Sequence, residues 1–171
     1  MSTDTQDPAA AALAVLDRLG VLYTRHDHSP VFTVDEALLH WRGIDAAHCK
    51  NLFLRNKKGN RHYLVVAEHS RPVSIPRVAV IAGEDRLSFG SPERLMRCLG
   101  LTPGSVSPLG LINDTAKEVR VIIDAELRNH PRVGFHPNVN TATIVMATTD
   151  FVRFLDWSGQ SVQWANLGVR D

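Results

Sequence analysis

Apolar residues recur at helical spacing in several separate parts of the chain, and each part carries a start or stop signal. The run AAAALAVLDRLG, residues 9–20, follows an aspartate and a proline that favour a helix start, and it ends at a glycine. Thr33 and Glu36 form a capping box in front of VDEALLHWRG, residues 34–43. Further helices are predicted over residues 76–82, 92–99, 125–129 and 150–159, the last with Thr149 as its cap.

Alternating and continuous apolar runs predict strands between these helices. The clearest is a hairpin over residues 50–67, KNLFLRNKKGNRHYLVVA, in which two β-rich arms flank the turn-forming NKKGN. The near-continuous apolar run TATIVMA, residues 141–147, is typical of a strand that is buried on both faces. Shorter strands are predicted over residues 21–28, 86–89, 118–124 and 161–167.

Helices and strands intermix along the chain without strict βαβ alternation. This order predicts a mixed α/β (α+β) fold with a largely antiparallel central sheet and helices around it. No repeat and no internal linker divides the sequence, so we expect one domain over residues 1–171. The glycine-rich fingerprints of nucleotide-phosphate binding, GxGxxG and GxxxxGK[ST], do not occur.

The composition is ordinary for a globular protein, with 44% hydrophobic and 22% charged residues. No apolar run approaches the roughly 18 residues that cross a bilayer, so no membrane association is expected. The start lacks a basic region before its apolar run, so we expect no secretory signal. Two cysteines, Cys49 and Cys98, are too few for a disulfide framework, which favours reduced thiols in a cytoplasmic protein.

The net charge of +1 neither demands nor excludes a nucleic-acid partner, but the charges of the predicted hairpin are all positive. A cationic ribbon can bind phosphates through charge alone, whereas a solvated hairpin tip is the simpler interpretation. Lys50 differs from the tip lysines because it stands at the start of the strand, where its ammonium can bind a phosphate or a carbonyl oxygen at a cleft edge. Besides Lys50, the hairpin cations are Arg55, Lys57, Lys58 and Arg61.

Two histidine patterns suggest chemistry. His26 and His28 would share a face of a strand, but no second cluster of ligands accompanies them, so neither a metal nor any other cofactor is predicted. His136 stands in GFHPNVNTATI, where Gly134 permits close backbone approach and a proline fixes the exit. The pattern leaves two roles open for His136, a functional imidazole at a strand end or a ring that satisfies a buried carbonyl.

The loop TPGSVSPLGLIND raises the question of a serine nucleophile. A hydrolase elbow reads GxSxG and uses the N–H of the residue after the serine. Ser107 precedes Pro108, which has no N–H, and Ser105 lacks the second glycine of the motif. The loop instead offers main-chain N–H groups at Gly104, Ser105, Val106 and Ser107, which suit a carbonyl oxygen. A stiff structural turn is the alternative.

Three stretches in this order resemble one family: KNLFLRNKKGN, LSFGSPERLMRCLGLTPGSVSPLGLIND and VGFHPNVNTATI. The chain is similar to the YbaK/ProX family of prolyl-tRNA editing proteins, most of all to its freestanding branch that deacylates alanyl-tRNA(Pro). The likeness runs from about residue 30 to residue 155. It implies a mixed α/β fold around a curved, barrel-like sheet.

The resemblance also implies roles for residues. The family's lysine corresponds to Lys50, with Asn51 beside it, and its GxxxP loop corresponds to residues 104–108. The histidine that borders the amino-acid pocket corresponds to His136. These residues would act on an aminoacyl ester by water attack without a covalent intermediate. The hairpin cations would guide the tRNA acceptor stem.

The implied partner is the acceptor end of tRNA(Pro) that carries a small amino acid, with transient contact to prolyl-tRNA synthetase. The cysteine-specific branch has a glycine-rich stretch in place of GFHPNVNTATI, which favours alanine as the amino acid removed. A deacylase for cysteinyl-tRNA or another small aminoacyl-tRNA remains an alternative. A regulator that binds nucleic acid without catalysis is an alternative of another class.

Overall fold

An eight-stranded mixed sheet forms the centre of the protein, in the strand order β1-β7-β6-β2-β3-β5-β8 with β4 on β2. The structure is a computed structural model and describes residues 7–168. The strands are β1 (Tyr23–Asp27), β2 (Ala47–Asn56), β3 (His62–Glu68), β4 (Leu87–Phe89), β5 (Val119–Asp124), β6 (Arg132–Phe135), β7 (Ala142–Ala147) and β8 (Val162–Ala165).

The predicted mixed α/β fold, with a central sheet and surrounding helices, is confirmed. The antiparallel pairings join β1 to β7, β6 to β7, and β2 to both β3 and β4. The parallel pairings join β2 to β6, β3 to β5, and β5 to β8. Within the described residues β1 and β8 lie at opposite ends of the order, so the curved sheet is open and not a closed barrel.

Within residues 7–168 five α-helices cover the sheet, and most begin at the predicted cap. Thr33 accepts a hydrogen bond from the amide of Glu36, and Ser91 accepts one from the amide of Arg94. The helices are α1 (Pro8–Arg18), α2 (Val34–Trp41), α3 (Ile75–Ala82), α4 (Pro92–Leu99) and α5 (Thr148–Ser158). Two 3-10 segments lie over Pro108–Asn113 and Ala125–Asn129. No helix in the part of the chain that the structure describes is long and apolar enough to cross a membrane.

The predicted cap of the last helix is wrong. Helix α5 begins at Thr148, directly after β7, and it has no side-chain cap. Thr149 lies inside the helix, while the hydroxyl of Thr148 donates a hydrogen bond to the carbonyl of His130 at 2.5 Å. The helix therefore starts two residues earlier than predicted, and Thr148 ties its first turn to the segment that enters β6.

Strands β2 and β3 are buried on both faces. Phe53 and Leu64 pack on one side, in the large core that also holds residues of α1, α4 and α5. Leu54 and Tyr63 pack on the other side, in a smaller core against α3. A polar side chain in the middle of β2 is consequently held among apolar neighbours, and it can reach solvent only where the sheet opens.

Candidate active site

The sheet opens beside the middle of β2. Residues 47 and 48 pair with β6 and residues 54–56 pair with β4, so on that side residues 49–53 have no strand partner in the described structure. The carbonyl of His48 accepts from His69 at the end of β3, and that of Phe53 accepts from Gly90 on the β4 side. Because main-chain groups alternate between the two edges of a strand, those of Asn51 face the opening.

A cavity of about 290 Å³ lies at this opening. Its walls come from four separate parts of the chain: the segment that leads into α2 together with α2 itself, the middle of β2, the loop before the first 3-10 segment, and the residue after β6. The lining residues are Val31, Phe32, Thr33, Val34, Ala37, Trp41, Cys49, Lys50, Asn51, Leu52, Gly104, Val106 and His136. The fold thus brings together five predicted site residues from three distant motifs.

Lys50 is fixed by a series of polar contacts that runs through Arg71 to Asp124. Its ammonium donates a hydrogen bond to the main-chain carbonyl of Arg71. The guanidinium of Arg71 in turn contacts the buried carboxylate of Asp124 at 2.6 Å. The hydrogen bond that Arg71 donates to Asp124 raises the pKa of Arg71, so the guanidinium stays charged. The contact with Arg71 uses one of the three Lys50 N–H donors and leaves two for the cavity.

His136 presents a neutral ring to the cavity. Its Nδ1 lies 2.8 Å from the carbonyl oxygen of Ala142, which can only accept, so Nδ1 carries the hydrogen. Burial lowers the pKa of His136, and the nearby ring of His28 lowers it further against the opposing effect of the Ala142 carbonyl. At neutral pH the second nitrogen, Nε2, is therefore an unprotonated acceptor.

The predicted loop reaches the cavity at two positions, Gly104 and Val106. Gly104 has a φ of +89°, and a Cβ there would lie 3.4 Å from the ring of Phe32. Glycine thus lets the loop approach the start of α2 in a conformation that other residues adopt at a cost. Both residues line the cavity, and Gly104 lies next to the aromatic ring of Phe32.

The other loop residues do not line the cavity. Ser105 and Ser107 are buried, and the amide of Ser105 donates to the carbonyl of Thr102 at 3.0 Å. The hydroxyl of Ser107 accepts from the amide of Leu109 at 3.1 Å, which caps the 3-10 segment that starts at Pro108. Ser105, Ser107 and Pro108 therefore hold the loop in place outside the cavity lining, and of the predicted loop residues Gly104 and Val106 line the cavity.

Trp41 forms an aromatic part of the cavity wall, and it is not among the site residues predicted from the sequence. The indole N–H of Trp41 donates to the hydroxyl of Thr143 at 3.3 Å, and Nε2 of His28 lies 2.9 Å from the same hydroxyl. The ring of His28 stacks on that of His40 at 4.8 Å. Among residues 7–168, no three histidine, cysteine or carboxylate side chains come together as a metal site. The amphipathic pattern of α2 could have indicated this residue, because Trp41 lies on the buried face of the helix.

Cys49 belongs to the cavity wall but is a poor nucleophile. Its side chain is buried, and burial raises the pKa of the thiol well above its usual range. A protonated thiol is unreactive, so Cys49 serves as a packing residue.

The hairpin cations lie at the other end of β2. Lys57 follows Lys50 by seven positions, which corresponds to about 23 Å of extended chain. Lys57 and Lys58 are exposed in the turn, whereas Arg61 pairs with Glu84 at 3.3 Å. Arg55 donates to the carbonyl of Asn56 at 3.2 Å. These cations do not line the cavity, and next to them lies a second cleft that is lined by Arg61, Arg97, Lys117 and Arg120.

The chain is similar to known proteins over nearly its whole length. Residues 28–154 match the model of a family described as the aminoacyl-tRNA editing domain. Prolyl-tRNA editing protein ProX of Acetoanaerobium sticklandii is 38% identical over 162 residues, which cover 94% of this chain and 98% of that protein. Prolyl-tRNA synthetase associated domain-containing protein 1 of Danio rerio is 34% identical over 143 residues, which cover 82% of this chain and 77% of that protein.

The fold also matches solved structures. A crystal structure of a candidate trans-editing enzyme for prolyl tRNA synthetase has a TM-score of 0.71 at 19% identity, over 97% of this chain and 100% of that one. This likeness supports the mixed α/β architecture independently of the sequence.

Proposed function

This chain belongs to the aminoacyl-tRNA editing domain family, and on that premise we propose that it hydrolyses alanyl-tRNA(Pro) in trans. Family membership makes it an editing hydrolase that acts on aminoacyl-tRNA. The observation that carries the finer assignment is that Lys50, Gly104 and His136 meet around one cavity of about 290 Å³. An ester at the end of a nucleic acid needs a cation for its phosphate, donors for its carbonyl and a small pocket for its side chain.

The choice of alanine follows from size. A synthetase pocket built for proline cannot strongly exclude a smaller amino acid, because missing methylenes forfeit only about 1–3 kcal/mol of binding. A second site that admits only small side chains can then remove the error. The apolar side of the cavity includes Val31, Ala37 and Trp41, which are buried and packed against each other. A proline ring would overpack such a wall, typically at a cost of ~1–3 kcal/mol.

The reaction needs no covalent intermediate. Water attacks the ester carbonyl carbon, the bond to the ribose oxygen breaks, and that oxygen takes up a proton from the water, so the products are free alanine and tRNA with its ribose hydroxyl restored. An aminoacyl ester is already activated, so positioning and stabilisation of the developing oxyanion suffice. In our proposal the two free N–H donors of Lys50 bind the terminal phosphate or the ester, and main-chain groups at Gly104 and Val106 face the carbonyl oxygen. Neutral His136 borders the amino acid and polarises the attacking water.

The hairpin cations have a separate role in this proposal. Lys57 and Lys58 lie about 23 Å along β2 from Lys50, beyond the reach of one nucleotide. Exposed cations at this distance suit phosphates of the acceptor stem, which they would bind through charge. The proposal includes a transient contact with prolyl-tRNA synthetase, since a freestanding editing protein has to intercept the mischarged product.

The test is deacylation of tRNA(Pro) that carries alanine, cysteine, serine or proline, by the wild-type protein and by Lys50→Ala. We expect fast loss of alanine, little loss of proline, and a large decrease for Lys50→Ala. A preference for cysteine would overturn the alanine assignment but keep the class. Salt-sensitive tRNA binding without release of any amino acid would overturn the enzymatic proposal.

A further inference from the structure

Asn51 lines the cavity, and among the described residues its side-chain oxygen is a buried acceptor without a donor. In the described structure Oδ1 of Asn51 is buried and has no hydrogen-bond partner. His48, Asn138 and Gln160 also have buried atoms of this kind, but Asn51 differs from them because it lines the cavity. A buried acceptor without a donor costs about 1–3 kcal/mol, so folding alone gives no reason to keep it there.

The neighbours of Asn51 do not supply the missing donor. Lys50 is adjacent in the chain, but successive side chains of a strand point to opposite faces, and the Lys50 ammonium is directed to the carbonyl of Arg71. Asn51 lies on the same face of β2 as Cys49 and Phe53, whose side chains belong to the large core. The orphaned oxygen is thus on the inner side of the cavity, away from the cation that we assign to the phosphate or ester.

We propose that Oδ1 of Asn51 accepts a hydrogen bond from the α-ammonium group of the bound aminoacyl ester. This inference rests on the proposed function and names the group that the site recognises. An ammonium has only donors, and when it leaves water it requires an acceptor, whereas a ribose hydroxyl can donate or accept as the site allows. Hydrogen bonds from an ionised donor are also roughly twice as strong as neutral ones.

This contact provides a second basis for discrimination. With the ammonium fixed at Asn51, the Cα substituent of alanine is directed to the apolar wall that contains Ala37 and Val31. Proline has a secondary ammonium with one fewer N–H, and its ring joins the nitrogen to the side chain. The ring carbons would therefore have to occupy the space between Asn51 and the wall.

The test compares alanyl-tRNA(Pro) with propionyl-tRNA(Pro), in which hydrogen replaces the α-amino group. Asn51→Leu removes the acceptor at similar volume, Asn51→Asp retains an acceptor, and Lys50→Ala serves as the matched control. We expect Asn51→Leu to lower kcat/KM for the alanyl ester about ten- to hundredfold, with less than about threefold change for the propionyl ester. Lys50→Ala should lower both by the same factor, and Asn51→Asp should keep the preference for the alanyl ester.

The outcomes separate this inference from the proposed function. Equal losses on both esters in Asn51→Leu, as a ribose contact or a structural role would give, overturn the ammonium contact alone. Absence of alanyl-tRNA hydrolysis by the wild-type protein overturns both. Thermal unfolding of each variant shows whether a loss of activity reflects a loss of folding. If Asn51→Leu does not fold, the ratio of kcat/KM for the alanyl ester to kcat/KM for the propionyl ester in Asn51→Asp decides the question.

Discussion

The ammonium group of Lys50 donates a hydrogen bond to the main-chain carbonyl oxygen of Arg71. Arg71 is itself fixed, because its guanidinium contacts the carboxylate of Asp124 at 2.6 Å. Asp124 is only 1% exposed and also accepts from the amide of Glu126 at 3.3 Å, so it is a rigid anchor. A buried carboxylate at the end of β5 therefore positions a lysine on β2 without touching it.

This chain of contacts predicts that Asp124→Asn lowers activity through Lys50. Asparagine can still accept from Glu126, but it loses the charge that holds Arg71, so we expect about a tenfold decrease in kcat and a smaller change in KM. In a Lys50→Ala background the same substitution should have little further effect, since the group it positions is absent. Steady-state deacylation of alanyl-tRNA(Pro) by the single and double variants measures this coupling.

Asp150→Asn is the control for the Asp124 experiment. It breaks a surface ion pair with Arg153 at 2.8 Å, on helix α5, and should leave activity unchanged. If Asp124→Asn lowered the activity of Lys50→Ala by the same factor as it lowers that of the wild type, the carboxylate would act elsewhere and the positioning role would be wrong.

Much of the candidate site could be predicted from the sequence, because its residues stand in local motifs. Gly104 and His136 each adjoin a proline that restricts the backbone, Lys50 precedes an apolar strand run, and a resemblance in three motifs joined them. Arg71 and Asp124 could not be found this way, since their pairing depends on a contact between residues 53 positions apart. Nothing local distinguishes either residue from an ordinary surface charge.

The fold was predictable to a similar extent. The hairpin of β2 and β3 and the caps of α2 and α4 follow from local signals. Strand β6 was missed, since four residues with a glycine have weak β propensity and pairing with β2 and β7 decides their conformation. The cap of α5 was misassigned because the local signal favours Thr149, whereas the helix begins at Thr148 with Ala147 at the cap position, and Thr148 bonds to the carbonyl of His130.

Neither serine of the 102–114 loop should be needed for chemistry. Ser107→Ala removes the acceptor for the amide of Leu109, so we expect a loss of about 1 kcal/mol in the free energy of unfolding. Activity should stay within a few-fold of wild type, and Ser105→Ala should behave likewise because its side chain does not line the cavity. Urea unfolding and deacylation rates measure the two effects separately. A decrease on the order of 10⁴-fold in either variant would instead indicate a nucleophile.

The neutral state of His136 predicts an acid limb in the pH profile. Burial lowers the pKa of His136 below its ordinary value of 6.5, so kcat/KM should be level near neutral pH and fall in the more acidic range below 6.5. Protonation removes the Nε2 acceptor and places a second cation in the cavity with Lys50. The pKa of the unfolded ring is higher, so the unfolded state binds more protons between the two values and stability also decreases as the pH falls through that window.

His62 provides the control for the pH profile. Burial and the nearby Arg94 lower its pKa too, but it lies by the hairpin end of β3 and not at the cavity. His62→Gln should therefore change the pH dependence of unfolding while the acid limb of kcat/KM persists. His136→Gln should remove that limb together with most activity. Persistence of the limb in the residual activity of His136→Gln would assign the titration to another group.

The exposed hairpin lysines should contribute to tRNA affinity and not to the chemical step. For the double substitution Lys57→Ala with Lys58→Ala, we expect a higher KM for alanyl-tRNA(Pro) and an unchanged kcat. The slope of log affinity against log salt should decrease by roughly 1–2, because two phosphate contacts are lost. Hydrolysis of alanyl-adenosine, which has no acceptor stem, should be unaffected. Arg18→Ala, an exposed cation on α1, is the control for charge alone. Equal weakening by Arg18→Ala would show that net charge, and not the position of the hairpin, attracts the tRNA.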